Sequence, residues 1–332
     1  MCAIICTCIA IFQSLKLKSH DHSQRDVEML ERSDTMEKYI LSPKMVKEQK
    51  IVPGYRISGV VVKVGPRVEK NLKIGTEVAC IVPLDSSSNG GGLCEYIIQP
   101  SFNVVQKSEL VSHDIAAAAL LPGLRAHDAL CFRLCQPLAA NLSDTSILVE
   151  SGASTCNHLA LQLAHCRGAR VITTVSTDQE IDYLDSLNLD RVAIVHTKKK
   201  NLRDEVMSLT NGMGVDMILE SRVTSLNPES CVYMLGFGGI WLSSRKRFKI
   251  TSRHSEALRY KNSSLGFLFE EAWLLSPKRH GHLRLIINET IERLRKGTFR
   301  VRVDRCFKLS ESRLALNHAR TESVVVDVGD SS

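Results

Sequence analysis

The sequence predicts an α/β protein in which a doubly wound parallel sheet is joined to a smaller, β-rich unit. Two stretches predict it. From Ser146 to Ser176 the chain reads strand, glycine-bearing turn, helix and strand, the order of a βαβ crossover. Between residues 51 and 106, short β-branched runs alternate with turn signals, the pattern of a small barrel or sandwich. A chain of 332 residues is long enough for both as separate domains.

Within the crossover, Ile147 to Glu150 has buried-strand character and Gly152 marks the turn. Leu159, Leu163 and Cys166 stand near helical spacing, Gly168 closes the helix, and Ala169 to Val175 is β-rich. Thr177-x-x-Glu180 is a capping box for a helix over 178–187. A strand over Arg191–Val195, a helix over Leu202–Thr210 and a strand over Val215–Leu219 follow. Cys231 to Trp241 contains another strand, with Gly236, Gly238 and Gly239 at its end. Strands separated by helices in this way make a doubly wound parallel sheet.

The β-rich unit reads as a strand from Ile57 to Val64, a turn over 72–77, and strands over Val78–Val82 and Leu93–Ile98. Ser112 and Asp114 cap a helix through Ala116–Ala119, which Pro122-Gly123 interrupts. The tail carries an amphipathic helix from Leu283 to Arg295, then Phe299–Val303 and a closing strand, Ser323–Val328. Residues 1–19 are an apolar, strand-like run ending in the alternation Leu15-Lys16-Leu17-Lys18, and His20 to Asp26 is a polar loop.

A composition of 44% hydrophobic and 24% charged residues is that of an ordinary soluble globular protein. The net charge of +7 favours anionic ligands but is weak support for nucleic-acid binding. Arg245 to Lys249 and Lys278 to His280 are basic, and a solvated face explains them more cheaply than RNA does. The 11 cysteines include no C-x-x-C pair, and most read as buried, reduced thiols of a cytoplasmic protein. Cys2 to Phe12 lacks both a preceding basic residue and a cleavage site, so it is not read as a signal peptide. No run reaches the roughly 18 apolar residues of a membrane span.

Three ordered motifs carry a resemblance. They are Pro53-Gly54-x-x-x-Ser58-Gly59-Val60-Val61-x-x-Val64-Gly65, Lys73-x-Gly75-Thr76-x-Val78, and Gly92-Leu93-Cys94-Glu95-Tyr96. With Gly152-Ala153-Ser154 and Gln162-Leu163-Ala164-His165-x-Arg167-Gly168-Ala169, they resemble the medium-chain dehydrogenase/reductase superfamily, and within it the zinc-free quinone oxidoreductases. The resemblance implies a Rossmann domain over 121–264 and a GroES-like barrel, shortened at its N-terminus, over 15–120 and 265–330. Residues 1–14 match nothing in the family and stay unassigned.

The same resemblance implies which chemistry to expect. A catalytic zinc needs three protein ligands. The position of the first matches Ser23, and Tyr55 and Arg56 stand near that of the second, so the expected protein is zinc-independent. His20-x-His22 has no evident third partner, and no metal site is assigned. The cofactor turn aligns Ala153, Thr155 and His158 with the three small-residue positions of a dinucleotide fingerprint. Two readings stay open. In one, helix N-terminal N–H groups with Gly152, Ser154, Thr155 and His158 still hold a phosphate; in the other, the turn has drifted and tight binding is lost.

The second strand ends at Thr174 and Ser176 without an Asp or Glu, which favours NADPH over NADH. Asp178 reads as a helix cap. Lys198, Lys199 and Lys200 read as a solvated charge run within reach of an anion. Gly236-Phe237-Gly238 resembles the turn beside the nicotinamide, and Phe267 the strand leading back toward the barrel. Asp26 and Tyr55 match the cleft region and are candidates for proton delivery. The expected function is hydride transfer from NADPH to a quinone or an activated alkene or carbonyl, by a homodimer. The alternative is a non-catalytic member of the fold acting as a binding or regulatory protein.

Overall fold

The computed structural model describes residues 2–12, 54, 56–66, 68, 72–82, 92–134, 141–222, 224–245, 248–273, 279–318 and 323–328. In chain order the strands are β1 (Cys2–Phe12), β2 (Arg56–Val64), β3 (Glu77–Ile81), β4 (Tyr96–Pro100), β5 (Val104–Gln106), β6 (Ser146–Val149) and β7 (Arg170–Val175). There follow β8 (Val192–His196), β9 (Val215–Leu219), β10 (Leu235–Ser243), β11 (Ser264–Phe267), β12 (Arg305–Lys308) and β13 (Val324–Asp327). The helices are α1 (His113–His127), α2 (His158–Cys166), α3 (Asp178–Ser186), α4 (Leu202–Leu209), α5 (Pro228–Met234), α6 (Ser252–Tyr260), α7 (His280–Arg295) and α8 (Ser312–His318). The chain divides into two units, one of residues 1–120, 271–295 and 302–332, the other of 121–270 and 296–301.

The first unit is built on a sheet ordered β12-β13-β1-β2-β3-β5, with β4 also paired to β1. Ile57 and Val61 of β2, four residues apart on one face, enter a core with Val78, Cys80, Ile97 and Val104. The apolar N-terminal run that matched nothing becomes β1. It pairs antiparallel with β2 along its length, with β4 at Cys2–Cys6 and with β13 at Ile9–Phe12. Helix α7 places Leu283, Ile286, Ile287, Ile291 and Leu294 in the interior, a stripe at helical spacing.

Helix α1 runs straight through Pro122 and continues as a π-helical turn over Asp128–Arg133. The expected interruption at Pro122-Gly123 is absent. Proline costs a helix about 3 kcal/mol, and burial of Leu120, Leu121, Leu124 and Leu130, each worth about 2 kcal/mol, outweighs it. The segment from His113 to Arg133 is also long and apolar enough to cross a bilayer by length and composition, which the sequence reading missed. Within the fold 83% of its apolar window is buried.

The second unit is a six-stranded parallel sheet ordered β11-β10-β9-β6-β7-β8. Helices α2 to α6 fill the five connections, and the order reverses between β6 and β9. The capping box at Thr177 forms, with the Glu180 carboxylate and the Thr177 hydroxyl each accepting the other residue's N–H. One strand differs from expectation. Residues 228–234 are helix α5, started by the Asn227 cap and Pro228 at its first turn, a start signal that outranks the β-rich composition. The glycines therefore stand at the beginning of β10, not its end. Strand β11 is the edge strand of this sheet, and the chain re-enters the first unit soon after it, at Glu271. None of the cysteines with described side chains forms a disulfide, and Cys166 and Cys306 are exposed rather than buried.

Candidate functional site

Open parallel sheets bind ligands outside the carboxyl ends of their strands, where the strand order reverses. Here Thr173, Val149, Leu219 and Leu242 lie side by side in register. The residues after them, Thr174, Glu150, Glu220 and Ser243, with Phe267 beside Ser243, define that edge.

The turn after β6 is stitched to β7 by two threonines. Ser151 N–H donates to Thr174 Oγ1 at 2.8 Å and Gly152 N–H to Thr173 Oγ1 at 3.0 Å. The Thr173 hydroxyl donates onward to Val149 O at 2.8 Å. A Cβ at Gly152 would lie 2.2 Å from Thr173 Oγ1 and 2.4 Å from Leu161 Cδ1. Gly152 is thus the position where the turn requires glycine. Gly152→Ala is expected to cost about 1–3 kcal/mol through overpacking. Chemical denaturation of Gly152→Ala, Thr173→Ala and the double variant checks this: Thr173→Ala must cost less when combined with Gly152→Ala than alone.

Beyond Gly152, Ser154 N–H turns back to Ser151 O at 2.9 Å and His158 N–H to Ser154 O at 3.1 Å. The N–H groups of Ala153, Thr155 and Cys156 donate to no acceptor among the described residues. Three free donors beside the start of α2, with the Ser154 and Thr155 hydroxyls, are the composition of an anion seat. His158 does not add a positive charge to it. Its ring is buried, Nδ1 lies 3.0 Å from Ser154 O, and burial pushes its pKa down to about 4, so it is neutral at pH 7.

At the order reversal the edge carries a buried polar network that the sequence reading missed. Asn157, fully buried, donates from Nδ2 to Glu150 O at 2.7 Å and accepts at Oδ1 from Arg125 Nε at 2.8 Å. Arg125, 0% exposed, also donates to Glu220 O at 2.5 Å, to Ser244 Oγ at 2.8 Å and to the Glu270 carboxylate at 3.2 Å. Burial pushes the Glu270 carboxyl up, but the guanidinium groups of Arg125 and Arg222 together hold it below the usual range. The Glu150 carboxylate takes the N–H groups of Ser221 and Ser225, at 2.8 and 2.9 Å. The Glu220 carboxylate takes Ser243 Oγ at 2.6 Å and Arg245 at 2.7 Å. The readable signals were acids directly after apolar parallel strands and an arginine inside an apolar helix.

The predicted residues divide cleanly. Gly152, Ala153, Ser154, Thr155, His158, Thr174, Ser176 and Phe267 all lie on or next to the carboxyl edge. Gly236, Phe237 and Gly238 do not. They begin β10, where Leu235 pairs with Val215, four residues before Leu219, so about 13 Å of strand separates them from the edge. Phe237 is 78% exposed there. The residues after β10 at the carboxyl edge are Ser243 and Ser244. Asp26 and Tyr55, like His20, His22 and Ser23, lie outside the described residues. Among the described residues no three of His, Cys, Asp and Glu are grouped to hold a metal. Phe248, the aromatic within one basic run, packs edge-on to Trp241 at 5.0 Å and to Phe267 at 5.9 Å, an arrangement of core packing rather than of base stacking.

Comparison with known proteins bears on this geometry. A family described as alcohol dehydrogenase GroES-like domain matches residues 19–109, and one described as zinc-binding dehydrogenase matches 157–241. The mouse quinone oxidoreductase-like protein 1 is 31% identical over 306 residues, 86% of each chain. The chain belongs to the medium-chain dehydrogenase/reductase superfamily. Superfamily members also share its fold among solved structures. An alcohol dehydrogenase superfamily protein of Novosphingobium aromaticivorans superposes with a TM-score of 0.77 at 17% identity, covering 98% of this chain and 92% of that one. The Escherichia coli quinone oxidoreductase, solved with NADPH, gives 0.72 at 17% identity, covering 98% and 91%. The chain's quinone oxidoreductase-like relatives support an oxidoreductase class of activity.

Proposed function

We propose that this chain is a zinc-independent, nicotinamide-dependent oxidoreductase that delivers a hydride to a quinone or to an activated alkene or carbonyl. The observation that carries the reading is the trio of free N–H groups at Ala153, Thr155 and Cys156 on the carboxyl edge of the parallel sheet. They and the Ser154 and Thr155 hydroxyls would hold the pyrophosphate, with Ser176 toward the adenosine ribose and Ser243, Ser244 and Phe267 on the nicotinamide side. When bound, a reduced nicotinamide supplies the hydride. The protein's own part is to orient donor and acceptor, exclude water and deliver a proton. Asp26 and Tyr55 remain the proposed proton donors, and zinc independence rests on Ser23, Tyr55 and Arg56. The residues of β7 itself carry no acid, the ground on which the sequence alone favours NADPH. A homodimer in the cytoplasm is part of the same proposal.

A second reading has its own observation. The Arg125 and Asn157 side chains bond to each other and to Glu220 O and Glu150 O across the order reversal, which favours a non-catalytic member in which polar side chains occupy the crevice floor. Calorimetric titration of the full chain with NADPH and NADH separates the two. Saturable binding with Kd of the order of micromolar, followed by nicotinamide oxidation on adding a quinone or enone, is the expected result. A folded protein that binds neither nucleotide at about 1 mM is the non-catalytic member.

A further inference from the structure

We infer that Glu180 sets the dinucleotide preference, selecting the form with a free adenosine 2′-hydroxyl, so that NADH binds more tightly than NADPH. The inference rests on the cofactor reading above and reverses its NADPH preference. The sequence shows no acid on β7 itself, but the fold returns one to its end. Glu180 is the third residue of α3, and its Oε2 accepts from Ser176 N at 2.6 Å, Ser176 Oγ at 3.0 Å and Thr177 N at 3.2 Å. The carboxylate therefore lies within hydrogen-bond distance of the first residue past the strand. Oε1 takes no bond among the described residues and is free to accept a hydroxyl.

Ser176 follows Thr174, which is tied to the phosphate turn through Ser151, and two residues of strand span only about 7 Å. An acidic oxygen at this place accepts ribose hydroxyls and repels a 2′-phosphate. The nearby cations do not offset it. Lys199 Nζ lies 2.7 Å from Asp178 Oδ1 and His196 Nε2 3.7 Å from it, and Lys200 pairs with Glu205 at 3.1 Å. The hydrogen bond from Lys199 holds the Asp178 carboxyl below the usual range, with Lys198 and His196 acting in the same direction. Lys199 and Lys200 are thus engaged by Asp178 and Glu205, and Lys198 acts on Asp178, while the Glu180 carboxylate keeps its charge facing the strand end.

The test is calorimetric titration of the full chain with NADH and NADPH, and with two nicotinamide-free probes, ADP-ribose and its 2′-phosphate. The expected result is binding about tenfold or more tighter for the 2′-hydroxyl member of each pair. Glu180→Gln keeps an acceptor oxygen for the cap while removing the charge, so it should shrink that ratio by about tenfold with its melting temperature kept. Tighter binding of the phosphorylated member in the wild type overturns the inference, as does an unchanged ratio in Glu180→Gln. If none of the four binds, this inference and the cofactor reading fall together. If ADP-ribose is preferred over its 2′-phosphate while neither nicotinamide nucleotide binds, the inference stands and the reductase reading fails.

Discussion

Arg125→Met is expected to destabilise the second unit by about 3–5 kcal/mol, a loss of roughly 6–20 °C in melting temperature for a unit of this size. The reason is what the guanidinium leaves behind. Its removal strips the buried Glu270 carboxylate of one of two cationic partners, leaves Asn157 Oδ1 without its donor, and leaves Glu220 O only the long bond from Asn157 Nδ2 at 3.4 Å. Uncompensated buried polar groups, rather than the lost attraction, dominate such costs. The double variant Arg125→Met/Glu270→Gln should recover part of the loss, because it removes the charge that Arg125 neutralised. Thermal and urea unfolding of the single and double variants measures both steps. A single variant within about 0.5 kcal/mol of wild type would mean that the network contributes nothing to stability.

The second large effect is a pH dependence carried by His158. Burial lowers its pKa to about 4 in the folded protein, against about 6.5 in an unfolded chain. Between these values the unfolded chain binds the proton and the folded one does not, so stability rises with pH across this window. It is fully present above about pH 6.5, is lost progressively as pH falls toward 4, and levels off below. The total is about 3–4 kcal/mol. His113, also held below its ordinary value first by burial and then by Lys107, acts in the same direction. Comparing unfolding free energies of wild type and His158→Gln between pH 4.5 and 7 isolates the His158 share. The variant should show the shallower slope; parallel slopes would refute a buried, neutral imidazole.

Much of the site was legible residue by residue. Gly152, Ser154, Thr155, Thr174 and Ser176 come from a strand–turn–helix–strand pattern whose periodicities are local, and the structure sets all of them on the carboxyl edge. The misassigned turn at Gly236–Gly238 shows the limit of such patterns. A glycine cluster next to a β-rich run marks a strand end, but only helix α5 and the parallel pairing of β10 with β9 reveal which end. Asn157 escaped notice for a related reason. Its position one residue before the helix looks like an ordinary cap, whereas its side chain reaches back to Glu150 and across to Arg125.

By itself, then, the sequence determined the βαβ repeat, the capping box at Thr177–Glu180 and the β-rich unit, which rest on hydrophobic period and short-range hydrogen bonding that a linear chain displays directly. Its ordered motifs carried the resemblance to the superfamily. The tertiary structure decided that residues 2–12 are a paired strand, that Arg125 and Glu270 meet 145 residues apart, and that Glu180 brings a carboxylate to the end of a strand containing none. Each depends on partners distant in sequence or on a side chain turned back along the chain. The energy of such contacts comes from burial and charge pairing, which only the folded neighbourhood sets.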